Sequence, residues 1–233
     1  MSTPRAVLIG AGLAVLLVAG VAAAALFHLF PTATKASTAP QSVVVATVLP
    51  GSDDDVAPRV IDVYIDTASG WTVRSVSPST SVEVPGTSGS TLADAYSFGG
   101  GVGLVSALAA NPGIPVDAWV IVDEPAWRTL HRSGSVTVDL PADVEVFDGV
   151  RVYSFPSGNA TVPADQLPQL LVGSAFLSAS EDAKVRGQVG DLVGKALGTS
   201  GAEASGVLHT NLSGVALQAW LRGVGSARRI PGS

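Results

Sequence analysis

The chain has 233 residues, a net charge of −6 and no cysteine. A chain of this length can bury a sizeable core without cross-links, and the lack of cysteine excludes disulfides, thiolate metal sites and cysteine nucleophiles. The acidic balance, with no run of Lys or Arg longer than two residues, argues against nucleic acid as a partner.

The N-terminal segment is apolar, and residues 6–27 contain no charged side chain. About 20 such residues span the hydrocarbon core of a bilayer as a helix. Arg5 lies before this segment and Lys35 after it, which weakly favours a cytoplasmic N-terminus. We therefore predict a single-pass protein of the cell membrane. A cleavable signal peptide is the alternative, because small residues follow the apolar run.

The predicted organisation has four parts: a cytoplasmic tail over 1–5, a transmembrane anchor over 6–30, a linker over 31–42 and an extracytoplasmic domain over 43–233. The linker is rich in Thr, Ala, Ser and Pro, a composition typical of an extended tether.

The first half of the predicted domain is mostly strands. Val43–Leu49 is a continuous, largely β-branched apolar run, which is typical of a strand buried on both faces. Arg59–Asp66 and Trp71–Val76 flank a Ser-Gly turn and predict a hairpin. A short apolar helix is predicted over Val102–Ala110, entered through three glycines, and a buried strand over Val116–Val122.

The second half alternates helices with strands. A short helix is predicted over Glu124–Leu130 and a strand over Ser135–Leu140. The sequence S-A-S-E from Ser178 matches a capping box and predicts a helix over 181–197, and a last amphipathic helix is predicted over about 213–223. Because strands and helices interleave, we predict an α/β fold with a mixed central β-sheet flanked by helices, preceded by the N-terminal transmembrane helix.

Three short motifs follow one another in the domain. Ser75–Gly86 reads S-V-S-P-S-T-S-V-E-V-P-G, Leu92–Gly100 reads L-A-D-A-Y-S-F-G-G, and Gly113–Asp123 reads G-I-P-V-D-A-W-V-I-V-D. Their order resembles that of the LytR-CpsA-Psr family of cell-envelope proteins, whose motifs are S-I-P-R-D-T with I-P-G, I-N-x-A-Y-x-x-G-G and G-I-x-I-D-x-Y-V-x-V-D. The resemblance extends over residues 59–231 and implies the mixed α/β fold of that family.

The resemblance also implies a chemistry. Family members bind a polyprenyl-diphosphate-linked glycopolymer, with its lipid in a hydrophobic channel, and transfer the glycopolymer to peptidoglycan, usually with Mg²⁺. Such a site needs arginine forks for the diphosphate, and carboxylates that hold the metal and accept a proton. By this resemblance, Tyr96, Gly99, Gly100 and Asp123 are candidate lipid- or diphosphate-binding residues.

Several of these candidates also have a purely structural interpretation. Glycines before a helix can bind an anion through their backbone N–H groups. They also allow positive φ and close packing, and we favour this structural interpretation for Gly99 and Gly100. Asp123 precedes a Glu-Pro helix start and is more typical of an N-cap than of a ligand. His131, at the end of that helix, fits an interaction with the helix dipole better than catalysis. Asn211 or Ser213 is expected to cap the last helix.

The charged residues of the family motifs are largely missing. Ser79 and Thr80 stand where the family has Arg-Asp, and no Lys or Arg occurs between Arg151 and Lys184, where an arginine-rich segment is expected. The family element D-x-x-R-x-x-R-Q is replaced by E-D-A-K-V-R-G-Q, which leaves Lys184 and Arg186 as the catalytic candidates.

No metal ligand is predicted. The acids Asp53–Asp55 are more typical of a solvated loop than of a metal site, and Mg²⁺ is expected only if the protein is active.

Three hypotheses follow. The first is a membrane-anchored, catalytically degenerate envelope protein that acts as a scaffold or regulator, with polyprenyl (pyro)phosphate lipid as its candidate ligand. The second is an active phosphotransferase that attaches polyprenyl-diphosphate-linked glycopolymer to peptidoglycan, using Lys184, Arg186 and the acids at 53–55. The third is a non-catalytic interaction domain whose partners are envelope proteins or cell-wall polymer.

Overall fold

The computed structural model describes residues 42–49, 59–67, 72–110, 116–131 and 134–226. The predicted tail and anchor, nearly all of the predicted linker and the acidic residues 53–55 lie outside these ranges. The strands are β1 (Ser42–Leu49), β2 (Arg59–Thr67), β3 (Thr72–Val76), β4 (Ala118–Val122), β5 (Ser135–Leu140), β6 (Val144–Phe147), β7 (Val152–Phe155), β8 (Gly158–Pro163) and β9 (His209–Thr210). The helices are α1 (Leu92–Ala110), α2 (Glu124–Leu130), α3 (Leu167–Ser174), α4 (Ala179–Ala204) and α5 (Gly214–Ser226).

A five-stranded sheet in the order β3-β2-β1-β4-β9 organises the domain. β1 and β4 are parallel, with Val43 opposite Ala118 and Thr47 opposite Val122, and the other pairs are antiparallel. The predicted mixed central sheet and the β2–β3 hairpin are therefore confirmed. β5 with β8, and β6 with β7, form two separate antiparallel pairs.

The apolar run of β1 is buried on both of its faces, as predicted. Alternate side chains of a strand point to opposite faces. Val44 and Ala46 pack in the core beneath α1, while Val43 and Val45 pack in a larger core formed with α4 and α5. The sheet thus has a helical layer on each side.

Helix α1 differs from the prediction, which placed a helix only over Val102–Ala110. The helix begins ten residues earlier and contains the glycines, with a kink at Gly100 (φ 55°, ψ −143°). Its start is stabilised by a reciprocal cap, because the Thr91 hydroxyl accepts from the Asp94 N–H while the Asp94 carboxylate accepts from the Thr91 N–H and hydroxyl. Glycine allows the kink, since an L side chain rarely adopts this positive φ.

By length and composition, α1 is also the one helix in the described part of the chain that could cross a membrane. All three of its leucines, Leu92, Leu104 and Leu108, are nevertheless buried in the core against the sheet. This packing is that of a core helix.

The second half follows the prediction in part. Helix α2 and strand β5 have the predicted bounds, and the Ser178–Glu181 capping box is present. Helix α4 continues to Ala204, seven residues beyond its predicted end. Strands β6, β7, β8 and β9 and helix α3 were not predicted. Of the two expected caps for α5, Ser213 is the one observed, accepting from the Ala216 N–H at 3.2 Å.

Candidate functional site

A cavity of about 470 Å³ opens where the parallel strands β1 and β4 end, on the α1 side of the sheet. The carboxyl ends of adjacent parallel strands are a common place for ligand sites in α/β folds. The described residues that line the cavity are Val48, Leu49, Tyr96, Gly100, Gly101, Trp119, Ile121, Asp123, Glu124, Pro125 and His209.

The kink in α1 forms one wall of the cavity. A Cβ atom on Gly101 would lie 2.2 Å from Cδ2 of Trp119, so only glycine allows the helix to approach the indole this closely. Gly100 supplies the positive φ that turns the helix. The packing interpretation of the glycines thus has direct support at both positions. Gly99 is not among the described lining residues.

Asp123 has two roles at the cavity edge. Its Oδ1 accepts from the Ala126 N–H at 3.1 Å, which confirms the predicted N-cap of α2. Its Oδ2 lies 3.1 Å from Nε2 of His209, which the pairing of β9 with β4 brings to this edge. The carboxylate therefore caps a helix and lines the cavity at once.

Tyr96 contributes the cavity's phenol group. Burial raises the pKa of the Tyr96 hydroxyl, and the negative charge of Asp123 raises it further. The hydroxyl therefore remains protonated at neutral pH and can donate a hydrogen bond.

The structure brings together three of the four predicted lipid- or diphosphate-binding residues: Tyr96, Gly100 and Asp123 all line the cavity. Their role as a binding site stays a prediction. Trp119, Glu124 and His209 also line the cavity and were not predicted to contribute. The sequence holds little signal for His209, because it reaches the site only through the pairing of β9 with β4.

Lys184 and Arg186, the predicted catalytic residues, do not line this cavity. Lys184 Nζ lies 2.7 Å from the Asp139 carboxylate on β5. Beside it, Gln188 accepts from the Asp139 N–H and donates to the Asp139 carbonyl, both at 2.8 Å. Lys184 and Gln188 therefore clamp α4 to β5.

Arg186 is buried, with only 4% of its surface exposed. Its Nε donates to the Asp182 carboxylate at 2.8 Å and its Nη2 to the Leu171 carbonyl at 3.2 Å. The Ser174 hydroxyl donates to the same carboxylate at 2.6 Å. This network joins α3 to α4 within the core.

The described part of the cavity lining is acidic. Its described lining contains the carboxylates of Asp123 and Glu124, the imidazole of His209 and no Lys or Arg. Arg128 pairs with Glu124 from the next turn of α2, outside the lining. The described residues contain no group of three or more His, Asp or Glu side chains that could hold a metal ion. What the described lining offers is an apolar space with carboxylates at its edge.

His131 departs from the expected charged partner of the α2 dipole. Burial lowers the pKa of His131 to about 4, so the ring is neutral at neutral pH. Its ring centroid lies 4.4 Å from that of Trp127, and its Nε2 is buried with no hydrogen-bond partner among the described residues. Asn211, the other expected cap of α5, instead accepts from the Trp119 N–H at 2.9 Å and holds β4 at its edge.

No protein-family model and no curated protein sequence matches the chain. Solved structures do. TagV of B. subtilis matches with a TM-score of 0.59 at 18% identity, over 82% of this chain and 81% of that one. A LytR-Csp2A-Psr enzyme from Actinomyces oris matches with a TM-score of 0.61 at 18% identity, over 84% and 82%.

TagT, solved bound to LIIa-WTA, matches with a TM-score of 0.56 at 17% identity, over 83% of this chain and 78% of that one. At these identities the likeness concerns the fold and carries no residue roles with it. Together with the order of the motifs, the neighbours identify the fold of this chain as that of the LytR-CpsA-Psr proteins.

Proposed function

We propose that this protein is a catalytically degenerate LytR-CpsA-Psr-type protein of the cell envelope, which holds the hydrocarbon chain of a lipid and acts as a scaffold or regulator. The observation that carries the proposal is the open, largely apolar cavity, whose described lining contains no Lys or Arg. If the predicted anchor over residues 6–30 is present, it would hold the domain near the membrane, where such a lipid is available.

The size of the cavity supports a lipid ligand. A volume of about 470 Å³ lies within the range of small-molecule sites, roughly 300–1,000 Å³. Val48, Leu49 and Ile121 provide aliphatic surface, and Trp119 provides an aromatic wall. A protein-interaction domain with a closed core would not need this space, so the cavity counts against the third hypothesis.

The positions of the charged residues support the loss of transfer activity. Charge-assisted hydrogen bonds contribute about 1.5–3 kcal/mol each, and a site that lacks several of them loses orders of magnitude in affinity or rate. Lys184 and Arg186 already bond to residues of α4, β5 and the α3 backbone. Neither is available to a diphosphate in the cavity without breaking those contacts.

An active glycopolymer phosphotransferase is the second candidate, because one protein with this fold is an enzyme and another was solved bound to LIIa-WTA. The pairing of β1 with β2 also places the backbone of Arg59 opposite Leu49, which lines the cavity. The acids at 53–55 follow β1 in the chain. These residues and Mg²⁺ would have to supply the missing charges.

Two measurements on the purified full-length protein separate these candidates. Bromine-labelled polyprenol is expected to quench the fluorescence of Trp119, and a Trp119→Phe variant should lose the saturable part of the quenching. Transfer of a polyprenyl-diphosphate-linked glycopolymer to peptidoglycan should be undetectable with or without Mg²⁺. Magnesium-dependent transfer that Arg59→Gln abolishes would establish the active enzyme instead.

A further inference from the structure

The β6–β7 hairpin carries a cluster of apolar side chains on its exposed side. Phe147 and Val152 are each 63% exposed and Val150 is 89% exposed, although all three are large apolar side chains. Phe147 lies opposite Val152 across the hairpin, so both side chains point to the same face, and Val150 lies in the turn between the strands. We call these three residues the hairpin tip.

The opposite face of the hairpin is fixed to the domain. Its side chains, Val144, Val146, Tyr153 and Phe155, are buried. Helix α3 packs closely against β6, because a Cβ atom on Gly173 would lie 2.5 Å from Cγ1 of Val144. With this face held in the core, strand alternation keeps the hairpin tip on the outside. Single exposed apolar side chains are ordinary, but a cluster of them marks an interaction surface.

The turn of the hairpin bonds its own polar backbone groups. Oδ1 of Asp148 accepts from the N–H groups of Val150 and Arg151, both at 2.9 Å. The Asp148 N–H donates to the Arg151 carbonyl at 3.2 Å. An unpaired backbone group is costly in apolar surroundings, since no water replaces the missing partner. A turn whose N–H groups are bonded internally is therefore suited to contact with lipid.

The charges beside the hairpin tip balance each other. Hydrogen bonds from the backbone N–H groups of Arg151 and Val150 lower the pKa of the Asp148 carboxyl, and the positive charge of Arg151 lowers it further. Residues 147–152 thus carry one negative and one positive charge. Arg151 is exposed, and its planar fork can bond phosphate oxygens at the level of lipid headgroups.

The length of chain before β1 favours a bilayer as the surface that the hairpin tip meets. The predicted anchor ends at residue 30, and β1 begins at Ser42. The residues between them, 31–41, span at most about 40 Å when fully extended. Such a short tether gives the bilayer a high effective concentration at the domain, so that even a small apolar contact is populated. A protein partner free in solution would lack this advantage.

We propose that the hairpin tip inserts into the boundary between the headgroups and acyl chains of the bilayer, and so holds the domain against the membrane surface. Phe147, Val150 and Val152 enter this boundary, and Arg151 stays at the level of the lipid phosphates. The proposal rests on the proposed function, since it needs the anchor that keeps the protein at the membrane. It concerns contact with lipid alone and involves no covalent step.

The test uses the absence of cysteine from the sequence, since one introduced cysteine then carries one fluorescent label. The full-length protein, labelled with nitrobenzoxadiazole, is reconstituted into phosphatidylcholine vesicles with or without a lipid that bears a nitroxide near the headgroup end of its acyl chain. The label in Val150→Cys is expected to lose most of its fluorescence to the nitroxide. Val215→Cys is the matched control, because this valine of α5 is also exposed, at 78%, and its label should lose little. The label in Ala33→Cys reports whether the predicted anchor is in the bilayer.

Phe147→Ser combined with Val152→Ser is the decisive variant, made in the Val150→Cys protein. Both side chains are exposed, so the fold should remain, which circular dichroism checks. The quenching at residue 150 should then fall to the level seen at residue 215. Val207→Ser with Val215→Ser is its matched control, because it removes two exposed valines outside the hairpin and should leave the quenching unchanged.

Each other outcome overturns the proposal in a recognisable way. Quenching at residue 33 without quenching at residue 150 leaves the anchor and the proposed function standing and points to a protein partner for the hairpin tip. Equal quenching at residues 150 and 215 shows that the domain approaches the bilayer without preference for the hairpin. Quenching that survives in the Phe147→Ser, Val152→Ser variant shows that the label enters the lipid by itself. Absence of quenching at both residue 33 and residue 150 overturns the membrane attachment on which both proposals rest.

Discussion

Polar side chains at the cavity edge and in the α3–α4 region differ in their surroundings. At the cavity edge, Asp123 and Tyr96 line an open space, and Asp123 bonds only to the Ala126 N–H and His209 among the described residues. In the α3–α4 region, Arg186 is buried with Asp182, and Lys184 pairs with Asp139 on the surface. Lys184 and Arg186, which were predicted to be catalytic from their place in a family motif, lie in the second region.

The difference shows that a charged residue within a family motif can have a structural role instead of a catalytic one. Arg186 has a carboxylate four residues earlier on the same helix, which is the spacing at which helical side chains meet. Once paired and buried, it stabilises the fold. Asp123 instead lies at the edge of the cavity, where it caps α2 and contacts His209.

The largest test of this contrast is removal of the buried charge. Arg186→Met should lower the free energy of unfolding by about 3 kcal/mol, because it leaves the largely buried Asp182 carboxylate without its counter-ion. Denaturant unfolding of the protein without residues 1–30 measures the loss. The double variant Arg186→Met, Asp182→Leu should recover part of it, since it removes both charges. A single variant as stable as the original protein would show that Arg186 is not structural.

The second test concerns the wall of the cavity. Gly101→Ala should cost about 1–3 kcal/mol, because the new methyl group would overlap Trp119 and force the indole or the helix to move. Gly187→Ala is the matched control on α4, where a Cβ meets nothing within 4 Å, and it should stabilise the protein by about 0.5–1 kcal/mol. If both variants were equally stable, α1 and Trp119 would not be packed as described.

Much of the fold could be predicted from local patterns. The apolar run of β1 and the capping box of α4 can each be recognised from a few neighbouring residues, and both are observed. The start of α1 was missed although Thr91 and Asp94 carry the T-x-x-D signature, because three glycines suggested a break rather than a kink. Strands β6 and β7 are short, four residues each, and alternate too briefly to be recognised.

The site was predicted less completely than the fold, since it depends on long-range pairing. Asp123 could be recognised from its place after a buried strand, next to a helix start. His209 is 86 residues away in the chain, and only the pairing of β9 with β4 brings its ring to Asp123. The positions of Lys184 and Arg186 in the motif gave no sign of their partners on β5 and α3.

The third test uses pH to probe a partly buried histidine outside both regions, His131. The folded state holds the pKa of His131 near 4, below its ordinary value of 6.5, so the unfolded chain binds the proton more tightly. Burial of the neutral ring therefore does not reduce the free energy of unfolding above pH 6.5, but it reduces it progressively as the pH falls from 6.5 toward 4. Between pH 7 and pH 5 the free energy of unfolding should fall by at most about 2 kcal/mol from this cause. His131→Phe should remove this part of the pH dependence, measured as the difference between the two unfolding curves. Parallel curves would contradict the burial of the ring.

The smallest expected effect is found by comparing Lys184 and Gln188, the two α4 residues that bond to Asp139 on β5. Lys184→Ala should cost less than about 1 kcal/mol, because its ion pair with Asp139 is about half exposed, at 49% and 53% of the two side chains. Gln188→Ala removes two hydrogen bonds to the Asp139 backbone and should cost about 1–3 kcal/mol. Both losses are read from denaturant unfolding. If Lys184→Ala instead left stability unchanged and abolished a magnesium-dependent transfer, the lysine would belong to a site like the family's, and the contrast between the two regions would fail.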